Sequence, residues 1–258
     1  MIIREVVDAL ERFAPLPLQE EYDNSGLQIG LTETEVSGAL LCLDVTESVI
    51  EEAVRTGCNL IVSHHPLIFH PLKSVTDSSE TERCVMSAIR NGIAVYSSHT
   101  CLDNARGGVC FKMAEMLHLD DVTWLIRHTD DSGSGVTGCL QSAMDEDEFA
   151  YLLKKTFHLS SLRCNGKLGR KIRKVALCGG SGSFLIPEAV SAGADAFVTG
   201  EIGYHRFFGY DGTILLAEMG HFESEQFTVN LLESVLHQEL PGIRTVRTGT
   251  ITNPIRYY

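Results

Sequence analysis

Two adjacent histidines stand where a predicted strand ends. His64 and His65 follow the apolar run 60–62 and precede Pro66. Neighbouring side chains of a regular strand point to opposite faces, so both imidazoles can converge only if the chain leaves the strand there. The proline favours that exit. The pair therefore predicts two metal ligands, and the alternative is two partly exposed loop histidines.

Further donors follow other predicted strands. Asp103 comes after the run 93–98, and His221 with Glu225 comes after the run 214–219. Open α/β sheets bind ligands at the carboxyl ends of their strands. His221 and Glu225 are four residues apart and so share one face of a helix. Two alternatives stay open, since Asp103 could be a helix N-cap and Glu225 in a first turn suits the helix dipole.

The number of donors indicates more than one ion. Three histidines, one aspartate and one glutamate exceed the three protein ligands of a catalytic zinc. They suit two divalent ions about 3.5 to 4 Å apart with bridging carboxylates. The set needs no thiolate, so Zn, Fe, Mn, Co or Ni would fit. Water on a catalytic zinc has a pKa lowered towards about 7, so a site of this kind predicts hydrolytic chemistry.

Three more features lie at strand ends. His99 and Glu201 are candidates for proton transfer, because each follows a strand beside the predicted ligands. The glycine-rich loop 179–182 could bind an anion on its backbone amides. It lacks the spacing and the lysine of a P-loop, which makes a phosphate contact a weak hypothesis.

An internal repeat predicts the elements that position these residues. Segment 41–62 matches segment 177–198 at a constant offset of 136, with eight identical positions. Each copy reads as strand, helix, glycine cap and strand, with Gly57 and Gly193 as the caps. The strands are apolar without alternation, which favours parallel pairing and burial on both faces. The elements expected around the predicted ligands are strands 39–44, 59–63, 174–178 and 194–199, and helices 47–56, 185–192, 221–236 and one begun near Arg106.

The repeat predicts the fold class and its division. We expect an α/β protein of two similar, duplicated halves, 1–130 and 131–258, with mostly parallel sheets flanked by helices. The first half holds His64, His65 and Asp103, and the second holds His221 and Glu225. The halves would pack as one intertwined unit around a shared site.

Composition limits the classes of partner. The formal net charge of −13 opposes the phosphate backbone, so we expect no direct binding to nucleic acid. No apolar run approaches the roughly 18 residues of a transmembrane helix, and we expect no membrane contact. The eight cysteines include no Cys-x-x-Cys pair, which indicates thiols in a reducing, cytoplasmic setting.

At these residues the chain resembles the Nif-three-like family, also called the GTP cyclohydrolase I type 2 family, in its short form without the inserted domain. The resemblance covers essentially the whole length. It rests on the segments 22–30, 63–66, 98–103, 199–201 and 220–225. The family usually has Trp where this chain has Tyr22, which puts no predicted ligand in doubt.

The resemblance implies a function and an assembly. His64, His65, Asp103, His221 and Glu225 would bind two metal ions, with Asp103 or Glu225 as the bridge. The activity would be ring opening of GTP with release of formate. The chain would form a toroidal homohexamer around an internal cavity. The alternatives are hydrolysis of another small molecule such as a phosphoester, and a metal-binding adaptor or regulator without turnover.

Overall fold

The apolar runs of the chain form the strands of two sheets, and the amphipathic segments between them form helices. A computed structural model describes residues 1–257. The α-helices of this part are α1 (Ile3–Phe13), α2 (Glu47–Thr56), α3 (Glu80–Arg90), α4 (Thr100–Asp103), α5 (Val109–Met116), α6 (Glu146–Thr156), α7 (Ile186–Ser191), α8 (His221–Glu225) and α9 (Thr228–Glu239). The strands are β1 (Gly26–Ile29), β2 (Ala39–Cys42), β3 (Leu60–Ser63), β4 (Ala94–Ser97), β5 (Asp120–Arg127), β6 (Gly133–Met144), β7 (Arg163–Cys164), β8 (Ile172–Cys178), β9 (Ala196–Thr199), β10 (Leu215–Glu218) and β11 (Thr245–Arg247).

The first compact unit consists of Met1–Leu102 and Phe227–Pro254. Its sheet has the order β1-β4-β3-β2-β11, in which β1 is antiparallel and the other strands are parallel. Every residue of β2, β3 and β4 is buried. Apolar residues of α2 and α3 pack on Leu40, Ile61 and Val95, and α9 contacts β2 and β11. Helices thus cover the fully buried central strands of this sheet.

The second compact unit consists of Asp103–Gln226 and the residues from Ile255 onward. Its sheet has the order β5-β6-β8-β9-β10-β7. The central strands β8, β9 and β10 are parallel, and β5, β6 and β7 add antiparallel pairs. Ile186 and Ala189 of α7 pack with Ala176, Phe197 and Leu216 of the central strands. The α/β class with mostly parallel sheets flanked by helices is confirmed.

The two units build their central strands in the same register. Leu41 lies beside Val62 in the first sheet, and Leu177 lies beside Val198 in the second, which preserves the offset of 136 seen in the sequence. Gly57 and Gly193 end the intervening helices, each with φ +70°. Division of the chain into duplicated halves at about residue 130 stays a prediction. The compact units have different bounds, because the first unit contains a second segment that begins at Phe227.

Two predicted helices begin or end elsewhere. The helix expected to run from His221 to Leu236 is interrupted after Glu225, and α9 starts at Thr228. The helix expected near Arg106 starts at Val109, because glycines at 107 and 108 disfavour helix and Gly107 has φ +77°. Asp103 ends α4 and does not cap α5, whose N-cap is Gly108.

None of the helices within residues 1–257 combines the length and the apolar character needed to cross a membrane.

Candidate metal centre

His64 and His65 extend from the carboxyl end of β3. Their backbone amides donate to the carbonyls of Cys42 (3.2 Å) and Leu43 (2.9 Å). Two consecutive amides of a regular strand do not face the same neighbour, so the chain has left the strand geometry here. The Ser63 hydroxyl donates to the His65 carbonyl at 2.8 Å and closes a turn. This turn brings the two rings to a centroid separation of 5.0 Å. The predicted exit from the strand therefore places both imidazoles together.

His99 joins this pair from the end of β4. Its ring centroid lies 5.4 Å from that of His64 and 5.5 Å from that of His65. Each of the three side chains offers a ring nitrogen, and these nitrogens lie within 4.8 Å of one another. His64 is buried, and His65 and His99 are partly exposed. The first unit therefore presents three imidazoles that suit a borderline divalent ion.

All three rings are held through Nδ1 by groups that only accept hydrogen bonds. The pairs are His64 with the Ser98 carbonyl (2.8 Å), His65 with Asp44 Oδ1 (2.7 Å) and His99 with Asp23 Oδ1 (2.7 Å). Each Nδ1 must donate, so a neutral ring keeps its lone pair on Nε2. Metal-ligating histidines are oriented in this way, with the other ring nitrogen held by a carboxylate or a carbonyl.

Asp23 is the most heavily hydrogen-bonded of these acceptors. Its side chain is wholly shielded from solvent, and it accepts bonds from His99, from Thr100 and from Ser25. Burial raises the pKa of Asp23, but the bonds from His99 and Thr100 outweigh burial and hold it far below its ordinary value. The group is therefore a fixed carboxylate near neutral pH. The same competition, with His65 and Thr252 as donors, lowers the pKa of Asp44.

His221 and Glu225 lie on α8 in the second unit, directly after β10. His221 Nε2 is 3.1 Å from Glu225 Oε2, as the four-residue spacing predicted. Glu225 is buried, and about a third of the His221 side chain is exposed. Asp103, at the end of α4, offers a carboxylate oxygen within 4.8 Å of one from Glu225. The second unit thus presents an imidazole and two carboxylates.

Glu201 acts on His221 through a hydrogen bond. Its Oε1 accepts from His221 Nδ1 at 3.0 Å, and its Oε2 accepts from the Ser181 hydroxyl. This acceptor leaves His221 Nε2 facing Glu225. The contact is an orienting one, and the predicted role of Glu201 in proton transfer stays a prediction.

The glycine-rich loop 179–182 packs around Glu225. A Cβ on Gly180 would lie 2.5 Å from Glu225 Oε1 and would displace that carboxylate, and the φ of +56° also favours glycine there. The amides of Gly180 and Gly182 donate to the hydroxyls of Ser224 (2.9 Å) and Thr199 (3.0 Å). These two amides are engaged inside the protein, which argues against the anion-binding hypothesis for this loop.

The cysteine near the carboxylates stays a thiol. A hydrogen bond with Cys110 and burial raise the pKa of Cys178 well above its ordinary value, and the charges of Asp103 and Glu225 raise it further. The donors that remain are imidazoles and carboxylates. This set fits the metals expected from the sequence, namely Zn, Fe, Mn, Co or Ni.

Sequence reasoning missed the orienting role of Asp44 and used Asp23 only as part of a motif. A signal for Asp44 was present, since it lies two residues after the apolar strand β2, just as His65 lies two residues after β3. For Asp23 the chain offers no local signal, because its partner His99 is 76 residues away.

Comparisons with known proteins indicate the family of the chain. The family model described as Duf34/NIF3 (NGG1p interacting factor 3) matches residues 1–254. A protein of Lactococcus lactis named GTP cyclohydrolase 1 type 2 homolog is 34% identical, and the match covers 98% of each chain. Another of that name from Clostridium acetobutylicum is 32% identical over 94% of this chain and 93% of its own length.

A solved structure is similar over the whole chain. The crystal structure of Staphylococcus aureus protein SA1388 has a TM-score of 0.91 and 26% identity, covering 100% of this chain and 99% of that one. A Bacillus cereus protein related to NIF3 has the same fold, with a TM-score of 0.88. The fold, the donor residues and the full-length matches lead to one conclusion: this chain belongs to the Duf34/NIF3 family.

Proposed function

We propose that the chain is a metal-dependent hydrolase whose five predicted ligands, His64, His65, Asp103, His221 and Glu225, bind two divalent metal ions. The observation that carries this proposal is the convergence of two proposed ligands, His64 and His65, with the proposed proton carrier His99 at strand ends of the first unit, each ring held through Nδ1. The pair of carboxylates with His221 in the second unit supports it.

The proposed reaction is opening of the guanine ring of GTP with release of formate. Support for this substrate comes from the relatives named GTP cyclohydrolase 1 type 2 homolog. Bound divalent ions would supply an activated water at neutral pH and polarise the group it attacks. Release of C8 as formate breaks its bonds to N7 and N9 and consumes two water molecules.

His99 is the proposed proton carrier. Its Nδ1 is fixed on Asp23 at 2.7 Å, which leaves Nε2 to accept a proton from the attacking water and to return it to the departing ring nitrogen. Asp23 stays ionised, because its pKa is held far below the ordinary value despite burial. A fixed carboxylate stabilises the imidazolium that forms in such a step. Glu201 would orient His221 by its 3.0 Å contact.

The test is metal content and formate release in matched variants. We expect about two ions per chain in the wild type, and loss of at least half of them in His65→Ala. Formate release from GTP should fall by about 100-fold or more in that variant, because a lost ligand costs more than the roughly 10- to 100-fold of a lost outer-shell partner. His237→Ala is the control, since His237 is exposed and bonds to Thr245.

Each other result has a distinct meaning. Less than one ion per chain in wild-type protein loaded with these metals would contradict every hydrolase hypothesis. A full metal complement with turnover of a phosphoester but not of GTP would contradict GTP as the substrate and would support the metal site. A loaded protein inert towards both would indicate a metal-binding adaptor. The toroidal hexamer is part of the proposal, and the molar mass in solution tests it.

A further inference from the structure

The segment after β11, residues 248–252, is held along the first unit by a buried carboxylate. We call this segment the C-terminal strap. Glu52 on α2 is 6% exposed. It accepts the Thr248 hydroxyl (2.5 Å), the Gly249 amide (2.9 Å) and the Thr250 hydroxyl (2.8 Å). Burial raises the pKa of Glu52, but the hydrogen bonds from the strap outweigh it and lower the pKa, so the bonds are made to an ionised group.

The last residue of the strap, Thr252, contacts Asp44, which in turn orients the predicted ligand His65. The Thr252 hydroxyl donates to Asp44 Oδ2 at 2.6 Å. The other oxygen of the same carboxylate, Oδ1, accepts from His65 Nδ1 at 2.7 Å. Both oxygens of Asp44 are therefore engaged, one by the strap and one by the imidazole.

The hydrogen bond from Thr252 restricts the Asp44 carboxylate, which would otherwise rotate easily. The terminal torsion of an aspartate is broad and roughly two-fold, so one hydrogen bond to His65 leaves the plane of the Asp44 carboxylate weakly fixed. About a third of the Asp44 side chain is exposed, and water would compete for its oxygens. A hydroxyl fixed from the opposite side restricts that rotation. The direction of His65 Nδ1–H, and hence of the Nε2 lone pair, then depends on Thr252.

We propose that Thr252 and the C-terminal strap position His65 for metal binding. Thr252 is a positioning residue that acts through Asp44 and does not touch the ion. The consequence for affinity rests on the metal site of the proposed function, but the effect on the His65 ring exists in the metal-free protein as well.

Thr252→Val tests the proposal, because valine keeps the shape of threonine and removes the hydroxyl. We expect the dissociation constant for Co²⁺, followed by its visible absorption, to rise about 5-fold. That rise is smaller than the roughly 10- to 100-fold cost of losing a residue in direct contact with a ligand. Thr252→Ser keeps the hydroxyl and should bind within about 2-fold of the wild type.

Thr245→Val is the matched control. Thr245 lies on β11, and its hydroxyl also donates to a carboxylate, Glu233, at 3.0 Å. That bond does not lead to a histidine ligand, so the variant should bind Co²⁺ like the wild type.

The second measurement needs no metal. Nitrogen-15 spectra of the imidazoles at pH 8 report which ring nitrogen of His65 carries the proton. The Nδ1–H form should dominate in the wild type and in Thr252→Ser, and its share should fall in Thr252→Val. The proposal is overturned if Thr252→Val matches the wild type in both measurements, or if Thr245→Val loses as much affinity. If the wild type binds no Co²⁺, the proposed function fails and the imidazole spectra alone decide the role of the strap.

Discussion

Single hydrogen bonds decide what each histidine of the first unit can do. His64, His65 and His99 all donate from Nδ1 to acceptors without protons of their own. The partner thereby fixes both the tautomer and the plane of each ring. Asp23 and Asp44 therefore contribute to the site alongside the imidazoles they hold, because a ring that loses its partner is less firmly oriented.

Asp23→Asn should destabilise the protein. The neutral amide replaces a buried carboxylate that accepts bonds from Ser25, His99 and Thr100. Hydrogen bonds to charged groups contribute about 1.5–3 kcal/mol each, so we expect the free energy of unfolding to fall by about 3 kcal/mol. Urea denaturation measures it.

Asp8→Asn is the control for that prediction. Asp8 is exposed on α1, and its replacement should change the free energy of unfolding by less than about 0.5 kcal/mol. Equal effects of the two variants would show that the bonds of Asp23 add no stability.

At the scale of elements, the glycine after each crossover helix sets where the next strand begins. Gly57 ends α2 and Gly193 follows α7, both at φ +70°. A Cβ at either position would meet nothing within 4 Å, so crowding is not the reason for glycine. The left-handed backbone is the reason, since it costs an L-residue about 1–2 kcal/mol.

Gly57→Ala and Gly193→Ala should each lower the free energy of unfolding by about 1 kcal/mol. Gly203→Ala is the matched control, because Gly203 has equally open surroundings but φ −61°, which alanine adopts without strain. Thermal unfolding of the three variants measures the difference. A loss in Gly203→Ala as large as in the other two would contradict the conformational explanation.

At the scale of the molecule, the first unit is assembled from distant parts of the chain. Strand β11 pairs with β2. Glu52 bonds to residues 196 to 198 positions later in the chain. Arg12 on α1 reaches Glu239 on α9 at 3.1 Å. The stability of this unit therefore depends on contacts between its N-terminal part and the C-terminal segment 227–254, which no local sequence pattern predicts.

Glu52 makes the binding of the C-terminal strap to the first unit dependent on pH. Its pKa is lowered from the ordinary 4.5 in the folded protein, because the bonds from the strap outweigh burial. A lowered folded-state pKa stabilises the fold above the ordinary pKa, and the contribution is lost as the pH falls from about 4.5 through the folded value. Glu52→Gln should cost about 2 kcal/mol at pH 7.

The difference between the wild type and Glu52→Gln should change little when urea denaturation is repeated at pH 5, and it should shrink at pH 4. Glu51→Gln is the control, since Glu51 is the exposed neighbour on α2 and should show little effect at any of these pH values. A gap that stays constant down to pH 4 would contradict the assignment to the Glu52 carboxylate.

Much of the fold was readable from the sequence. The apolar runs, the helices between them and the glycine caps predicted the strand, helix and strand order of both copies, including helix 47–56 with its observed bounds. The donors at strand ends were readable for the same reason, because parallel strands place their carboxyl ends at one edge. The interruption after Glu225 was not, since residues 221–236 carry no proline or glycine to end a helix.

The sequence by itself predicted most of the elements and the candidate donor residues, because these predictions depend on periodicity and spacing within short segments. Its motifs indicated the family. The tertiary structure decided which partners orient those donors. Asp23 meets His99 across 76 residues, and Asp44 meets Thr252 across 208. Hydrogen bonds between residues so far apart in the sequence depend on the order of the strands and on the packing of the C-terminal segment against the first unit. Hydrophobic patterning within a short segment carries no information about either.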